Sequence, residues 1–294
     1  MPTIGLIFMD IPHKHKRILL LAYQILNMNS LRRMLKIQYV SDLHLEFLGS
    51  HEIEAAALRI VPKAPVLVLA GDIGVAGTPE YSRFLNLVSR KFDHTFFIHG
   101  NHEYYTSRTA VDGYKAAVQH SKELESSKLH FLHNSTFDVD GQFRFIGTTL
   151  WSQIVDKKHV INDFQGAIPW MFPELCNNMH GRSKTWIKSE IKKSVKDGLV
   201  PIVVTHHLPS HSLVDAKYRS YSKFNQCFAS NSDALVTDSV AAWIYGHTHT
   251  PSSNLWNDGK TQLVCNPIGY SGEREERSIN YGATIEVGAP VHLP

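Results

Sequence analysis

Thr95-Phe96-Phe97-Ile98-His99-Gly100-Asn101-His102-Glu103 runs a short β-branched and aromatic segment into a glycine, then into a carboxamide, an imidazole and a carboxylate. Such a segment is too short for a typical helix and has the composition of a buried strand. The glycine frees the backbone to turn, and the polar side chains follow the turn at once. The same pattern recurs along the chain. Residues 37–40 lead into Asp42-Leu43-His44 and residues 66–70 into Gly71-Asp72. Residues 202–205 lead into His206-His207, and 242–245 into Gly246-His247-Thr248-His249.

Helical stretches separate several of these strands. Residues 79–91 place Phe84, Leu85 and Val88 on one face with Pro79 near the start, and 184–196 space Ile187, Ile191 and Val195 by four, with Ser183 as the expected N-cap. Strands alternating with helices imply an α/β layered fold. Further strands are expected at 129–132, 142–146, 262–265 and 283–287, and Asp140-Gly141 has the chemistry of a hairpin turn, so a second sheet is expected. Residues 34–294 then form one domain, with an irregular, Pro- and aromatic-containing insertion near 151–180.

The 43% hydrophobic and 19% charged composition suits a globular protein, and no apolar run is long enough to span a bilayer. Residues 1–33 carry five Lys and Arg against one Asp, a net +4, which leaves −1 for the remainder of a chain whose total is +3. These first residues are expected to be a poorly ordered extension outside the domain or the product of an upstream start codon; a targeting segment or a packing helix is the alternative. The near-neutral remainder lacks the basic field of a non-specific nucleic-acid binder. Three widely spaced cysteines argue against a disulfide framework. They point to a cytoplasmic location, on condition that residues 1–33 do not direct the chain elsewhere.

The strand-end residues read as ligands. In open α/β sheets functional groups gather beyond the carboxyl ends of the strands. A carboxylate and an imidazole two apart, as in Asp42 and His44, can grip one cation from an extended segment. Asp72 ends a buried strand and needs a partner for its charge, whether a cation or an Asx-turn. Asn101 offers a neutral carbonyl oxygen suited to a hard cation. Between His206 and His207 the residues alone do not choose. His247 and His249, freed by Gly246, can reach two adjacent ions. The donors are N and O only, which suits Mn, Fe, Zn or similar ions.

The order D-x-H, G-D, G-N-H-[DE], a lone His and G-H-x-H resembles the calcineurin-like metallophosphoesterase superfamily, from Met34 to about Ile268. The resemblance implies a four-layer α/β/β/α sandwich of two mixed sheets flanked by helices. It implies two metal ions about 3.5–4 Å apart. One takes Asp42, His44, Asp72 and His249; the other takes Asp72, Asn101, His206 and His247, so Asp72 bridges. It also implies a phosphoester hydrolase in which a metal-bridged hydroxide attacks phosphorus, with Asp72 and His102 as the catalytic residues and His102 as proton donor or charge stabiliser. His207, Glu103, Tyr104 and Asp163 are further candidates for supporting or substrate contacts.

One departure narrows the activity. The Ser/Thr protein phosphatases extend Gly-Asp into G-D-x-V-D-R-G, whereas this chain has Gly71-Asp72-Ile73-Gly74-Val75-Ala76-Gly77. The chain looks more like the compact prokaryote-type members, and the expected substrate is a small phosphodiester or phosphomonoester. The lean is to a diester, since no Arg dedicated to a terminal phosphate is visible near the motifs. The alternatives are a non-catalytic scaffold on the same fold, or a nuclease relative acting on nucleic acid.

Overall fold

The computed structural model describes residues 34–105, 113–275 and 278–288. The expected extension at 1–33 lies outside them. Five strands make the first sheet, in the order β11 (Thr284–Gly288), β1 (Met34–Val40), β2 (Val66–Leu69), β3 (His94–Phe97) and β4 (Leu129–Phe131). All pair in parallel except β11, which runs antiparallel to β1. The second sheet has the order β5 (Ser135–Val139), β6 (Phe143–Thr148), β7 (Val200–Thr205), β8 (Ala242–Tyr245), β10 (Thr261–Cys265) and β9 (Ser252–Trp256). Its four central strands are parallel and its two edges antiparallel.

Side chains alternate across each strand and so define the layers. Ile37, Val68 and Phe96 from the first sheet meet Phe145, Ile202 and Ile244 from the second in a core between the sheets. On the outer face of the first sheet, Leu67, Leu69 and Phe97 pack with residues of α1 (Ile53–Arg59) and α2 (Pro79–Ser89), among them Ile53, Phe84 and Leu85. On the outer face of the second, Val203, Trp243 and Leu263 pack with Ile187 and Ile191 of α4 (Pro173–Lys196). The architecture is the four-layer α/β/β/α sandwich of two mixed sheets. The remaining helices are α3 (Gly113–Glu123) and the short α5 (Ser271–Glu275).

Two local readings are corrected by the structure. Ser183 does not cap a helix: α4 begins ten residues earlier, at Pro173, and Ser183 is buried in mid-helix with its Oγ 3.2 Å from Thr148 Oγ1. The buried stripe of the first turns is Cys176, His180 and Ser183, so it carries no hydrophobic periodicity. The irregular stretch after Trp151 therefore ends at Phe172, with one 3₁₀ turn at Asn162–Phe164. The Asp140-Gly141 turn forms as expected, with φ of 53° and 62°.

Between the sheets, Phe96 and Phe145 stack at 4.3 Å and are both fully buried. Phe145→Ala should lower stability by about 3–5 kcal/mol through lost transfer energy and a residual cavity. Denaturant titration would read this as a lower midpoint.

Candidate active site

The carboxyl ends of β1, β2, β7 and β8 converge where the two sheets meet. Three bonds tie them: Asp42 N donates to Gly71 O at 3.0 Å, Gly246 N to His206 O at 3.0 Å, and His206 Nδ1 to Ala70 O at 2.9 Å. Five candidate ligands hold left-handed backbone: Asp42 (φ 54°), His44 (49°), Asp72 (51°), His247 (71°) and His249 (51°). For residues other than glycine such conformations cost roughly 1–3 kcal/mol each, and they cluster at functional sites. Glycine sits where backbones crowd: a methyl on Gly100 would lie 2.1 Å from Asp72 Oδ1 and 2.7 Å from His206 Nε2.

Three groups of donors result, Asp42 with His44 and His249, Asp72 with His206 and His247, and His44 with Glu46 and His102; within each the ligand atoms lie within 4.8 Å of one another. His249 Nδ1 donates to Glu273 Oε2 at 2.7 Å, which leaves Nε2 facing inward, 3.0 Å from His44 Nε2 and 3.5 Å from Asp42 Oδ1. His206 Nε2 lies 3.2 Å from Asp72 Oδ2 and 3.1 Å from Asn101 Oδ1. His247 Nε2 donates to Cys227 O at 3.3 Å, so its Nδ1 is the nitrogen available as a ligand. Outer partners that fix imidazole orientation in this way are usual around metal sites.

The electrostatics fit a cation. Burial opposes ionisation of Asp42 and Asp72, yet His249 beside the first and His206 and His102 beside the second hold both below the usual carboxylate range. Conversely, burial disfavours charge on His206 and His249, but the adjacent carboxylates raise them to about 9 and about 10. The buried carboxylates thus demand positive charge at a place lined by N and O donors, a demand that a multivalent cation answers. The three cysteines are buried and unpaired and belong to none of these donor groups.

His102 stands beside the donors. Its backbone N donates to Asp72 Oδ1 at 2.9 Å, and its ring stacks on Tyr105 with centroids 3.9 Å apart. Its Nδ1 lies 2.8 Å from Glu46 Oε1, and its Nε2 lies 3.4 Å from Tyr270 OH. His102, Tyr105, Tyr270 and the candidate ligands Asp72, Asn101, His247 and His249 line one cleft of about 660 Å³. Its outer wall includes Val160, Ile161, Tyr218, Phe224 and Phe228.

The remaining sequence candidates separate. Glu103 is buried behind the site and accepts from the backbone N of Gly100 (2.7 Å), Asp72 (3.1 Å) and Ile73 (2.8 Å), so it shapes the turn. Burial, reinforced by Asp72, pushes its carboxyl up to about 8. Asp163 accepts from Asn101 Nδ2 at 3.0 Å and Tyr105 OH at 2.5 Å, which aims Asn101 Oδ1 inward. His207 is buried between Trp151 and His247, with ring centroids at 5.4 and 4.3 Å. The substrate reading of Tyr104 is corrected: its ring is buried and its OH lies 3.0 Å from His99 Nδ1, while the neighbouring Tyr105 faces the cleft.

Three residues of the site were not among the sequence candidates. Glu46 continues the alternation Asp42-x-His44-x-Glu46, a signal that was there to be read. Tyr270 and Glu273 come from a loop and a short helix with no motif around them.

A family model for the calcineurin-like phosphoesterases matches residues 35–251, and the chain belongs to that family. "Uncharacterized protein L509" of Acanthamoeba polyphaga mimivirus is 29% identical over 266 residues, which cover 81% of this chain and 92% of that protein. The crystal structure of phosphopantetheinyl hydrolase (PptH) from Mycobacterium tuberculosis is similar with a TM-score of 0.67 and 18% identity, over 86% of this chain and 95% of that one. At that identity the second likeness is one of fold alone. Family and donor clusters together support a metal-dependent phosphoesterase.

Gly100→Ala should displace Asp72 and His206 and so lower metal content, measured by elemental analysis after dialysis. Asp72→Asn should lower it further, because a buried charge common to the site is lost. Full occupancy of two ions per chain in Asp72→Asn would be incompatible with a bridging Asp72.

Proposed function

We propose that this protein hydrolyses a small phosphodiester whose organic part is uncharged and largely apolar or aromatic, using two cations. Asp42, His44, Asp72 and His249 would hold one ion, and Asp72, Asn101, His206 and His247 the other. When bound, such ions supply an acidified water and offset charge on the phosphoryl oxygens. The chain's own groups do the rest. Glu103 and Asp163 hold the Asp72 turn and the Asn101 carboxamide in place. His102 presents Nε2 to the cleft, where it can give a proton to the leaving oxygen.

The observation that carries the diester reading is the lining of the cleft. Among the described residues that line it there is no Lys or Arg, while aromatic and aliphatic side chains form much of its wall. A terminal phosphate dianion is usually gripped by such cations. A diester has one charge fewer and an additional organic group, which the wall suits. The intact donor set supports an enzyme over a scaffold that has lost its ligands.

The test is hydrolysis of bis-p-nitrophenyl phosphate beside p-nitrophenyl phosphate, with Mn²⁺ and with chelator. The expected result is chelator-sensitive cleavage with the diester preferred. Cleavage of the monoester alone would reverse the substrate assignment. A phosphopantetheinyl ester belongs in the same panel, as the group named for the Mycobacterium tuberculosis structure. His102→Ala should keep its metal and lose about 10²–10⁴ in kcat on an ester with a poor leaving group, the range of a general acid. Unchanged turnover would remove His102 from the mechanism.

A further inference from the structure

Glu46 lies in the 3₁₀ turn Leu45–Phe47, directly after the first metal motif. Its carboxylate reaches inward and is 16% exposed. One oxygen, Oε1, meets two imidazoles: His44 Nδ1 at 3.0 Å and His102 Nδ1 at 2.8 Å. The other, Oε2, is buried with no hydrogen-bond partner among the described residues. Glu103 provides the contrast, since its carboxylate is spent on three backbone N–H groups and holds a turn. The side-chain bonds described for Glu46 go to two rings and to no backbone group. Desolvating a carboxylate is costly, and this one is spent on orienting imidazoles.

We propose that Glu46 is a positioning residue serving a metal ligand and the proton donor at once, an assignment that rests on the phosphoesterase reading above. A carboxylate only accepts, so each Nδ1 facing it must carry a hydrogen. For His44 this leaves Nε2 with its lone pair inward, toward His249 Nε2. For His102 it leaves Nε2 as the sole ring nitrogen presented to the cleft. Stacking on Tyr105 fixes the plane of that ring, and Glu46 fixes its rotation within the plane. In the reaction a water-derived hydroxide oxygen bonds to phosphorus as the P–O bond to the leaving group breaks; the electron pair of the broken bond stays on the leaving oxygen, which takes the proton from His102 Nε2. His102 is left neutral, with its Nδ1 hydrogen still donated to Glu46. Because one oxygen orients both rings, the acid and the ligand His44 keep a fixed relation to each other.

Two measurements test this. The first is long-range ¹H–¹⁵N correlation on the metal-free wild-type chain, with His102 assigned by its loss in His102→Gln. The expected result is a hydrogen on Nδ1 of both His44 and His102; a bare Nδ1 on His102 would overturn the proposal. The second compares leaving groups in Glu46→Ala and Glu46→Gln, with metal content measured alongside. In Glu46→Ala, kcat should fall by about 10²-fold on a phenyl or alkyl diester and by less than about threefold on the p-nitrophenyl diester, whose leaving oxygen needs little protonation. Glu46→Gln, which keeps an acceptor, should recover part of the loss. An equal fall on both esters with metal retained would overturn the role, because a merely structural defect does not distinguish leaving groups. If Glu46→Ala loses its metal or fails to fold, the wild-type correlation still decides. Failure of the phosphoesterase reading would show separately, as wild-type protein that cleaves neither ester.

Discussion

Two carboxylates, Asp42 and Asp72, are held out of water at the junction of the sheets, and the rest of the site is arranged around that cost. A buried charge persists only where opposite charge or donors meet it. Asp42 takes the backbone N of His247 and the imidazole of His249; Asp72 takes the backbone N of His102 and the imidazole of His206. These partners come from three strand ends, those of β3, β7 and β8. The charges thus require several strands to finish at one point, and the parallel pairing of β1 to β3 and of β6 to β8 brings them there. The left-handed ligand residues and the bare Gly100 follow from the same crowding.

Outside the donors lies a ring of groups that make no contact with them except through a hydrogen bond to a side chain or a turn. Glu103 works on backbone, Asp163 on the Asn101 carboxamide, Glu273 on His249, and Glu46 on two imidazoles. Asp163 has a particular reach: it belongs to the irregular stretch between Trp151 and Phe172, so that surface segment is tied directly to a candidate ligand. Sequence change in the segment would be felt at Asn101.

The buried strands were legible because both of their faces are apolar, as in Val66-Leu67-Val68-Leu69, where every residue is buried. The donors were legible because their residue types are costly at strand ends without a partner. Edge strands β5 and β9 were missed: both are rich in Ser, Thr and Asn, and neither is buried along its length. The early turns of α4 were missed because two of the three residues in their buried stripe, His180 and Ser183, are polar. Tyr104 and Tyr105 are neighbours of the same type, and only the 3₁₀ turn decides that the second faces the cleft. Tyr270 and Glu273 could not be read, since their place is set by how a late loop folds back over β1, with Gly269 N bonded to Asp42 O at 2.8 Å.

The cation-free lining of the cleft bears on turnover as well as on recognition. Cleaving a diester creates a second ionisable oxygen on the phosphorus-bearing product. Under the diester proposal that product would share its space with Asp72 and Glu273, and no described Lys or Arg lines the wall to retain it. Its hold would then come from the proposed ions. Departure of the spent phosphate would thereby be favoured over its accumulation, so that the lining proposed to admit the ester would also clear the site for the next one.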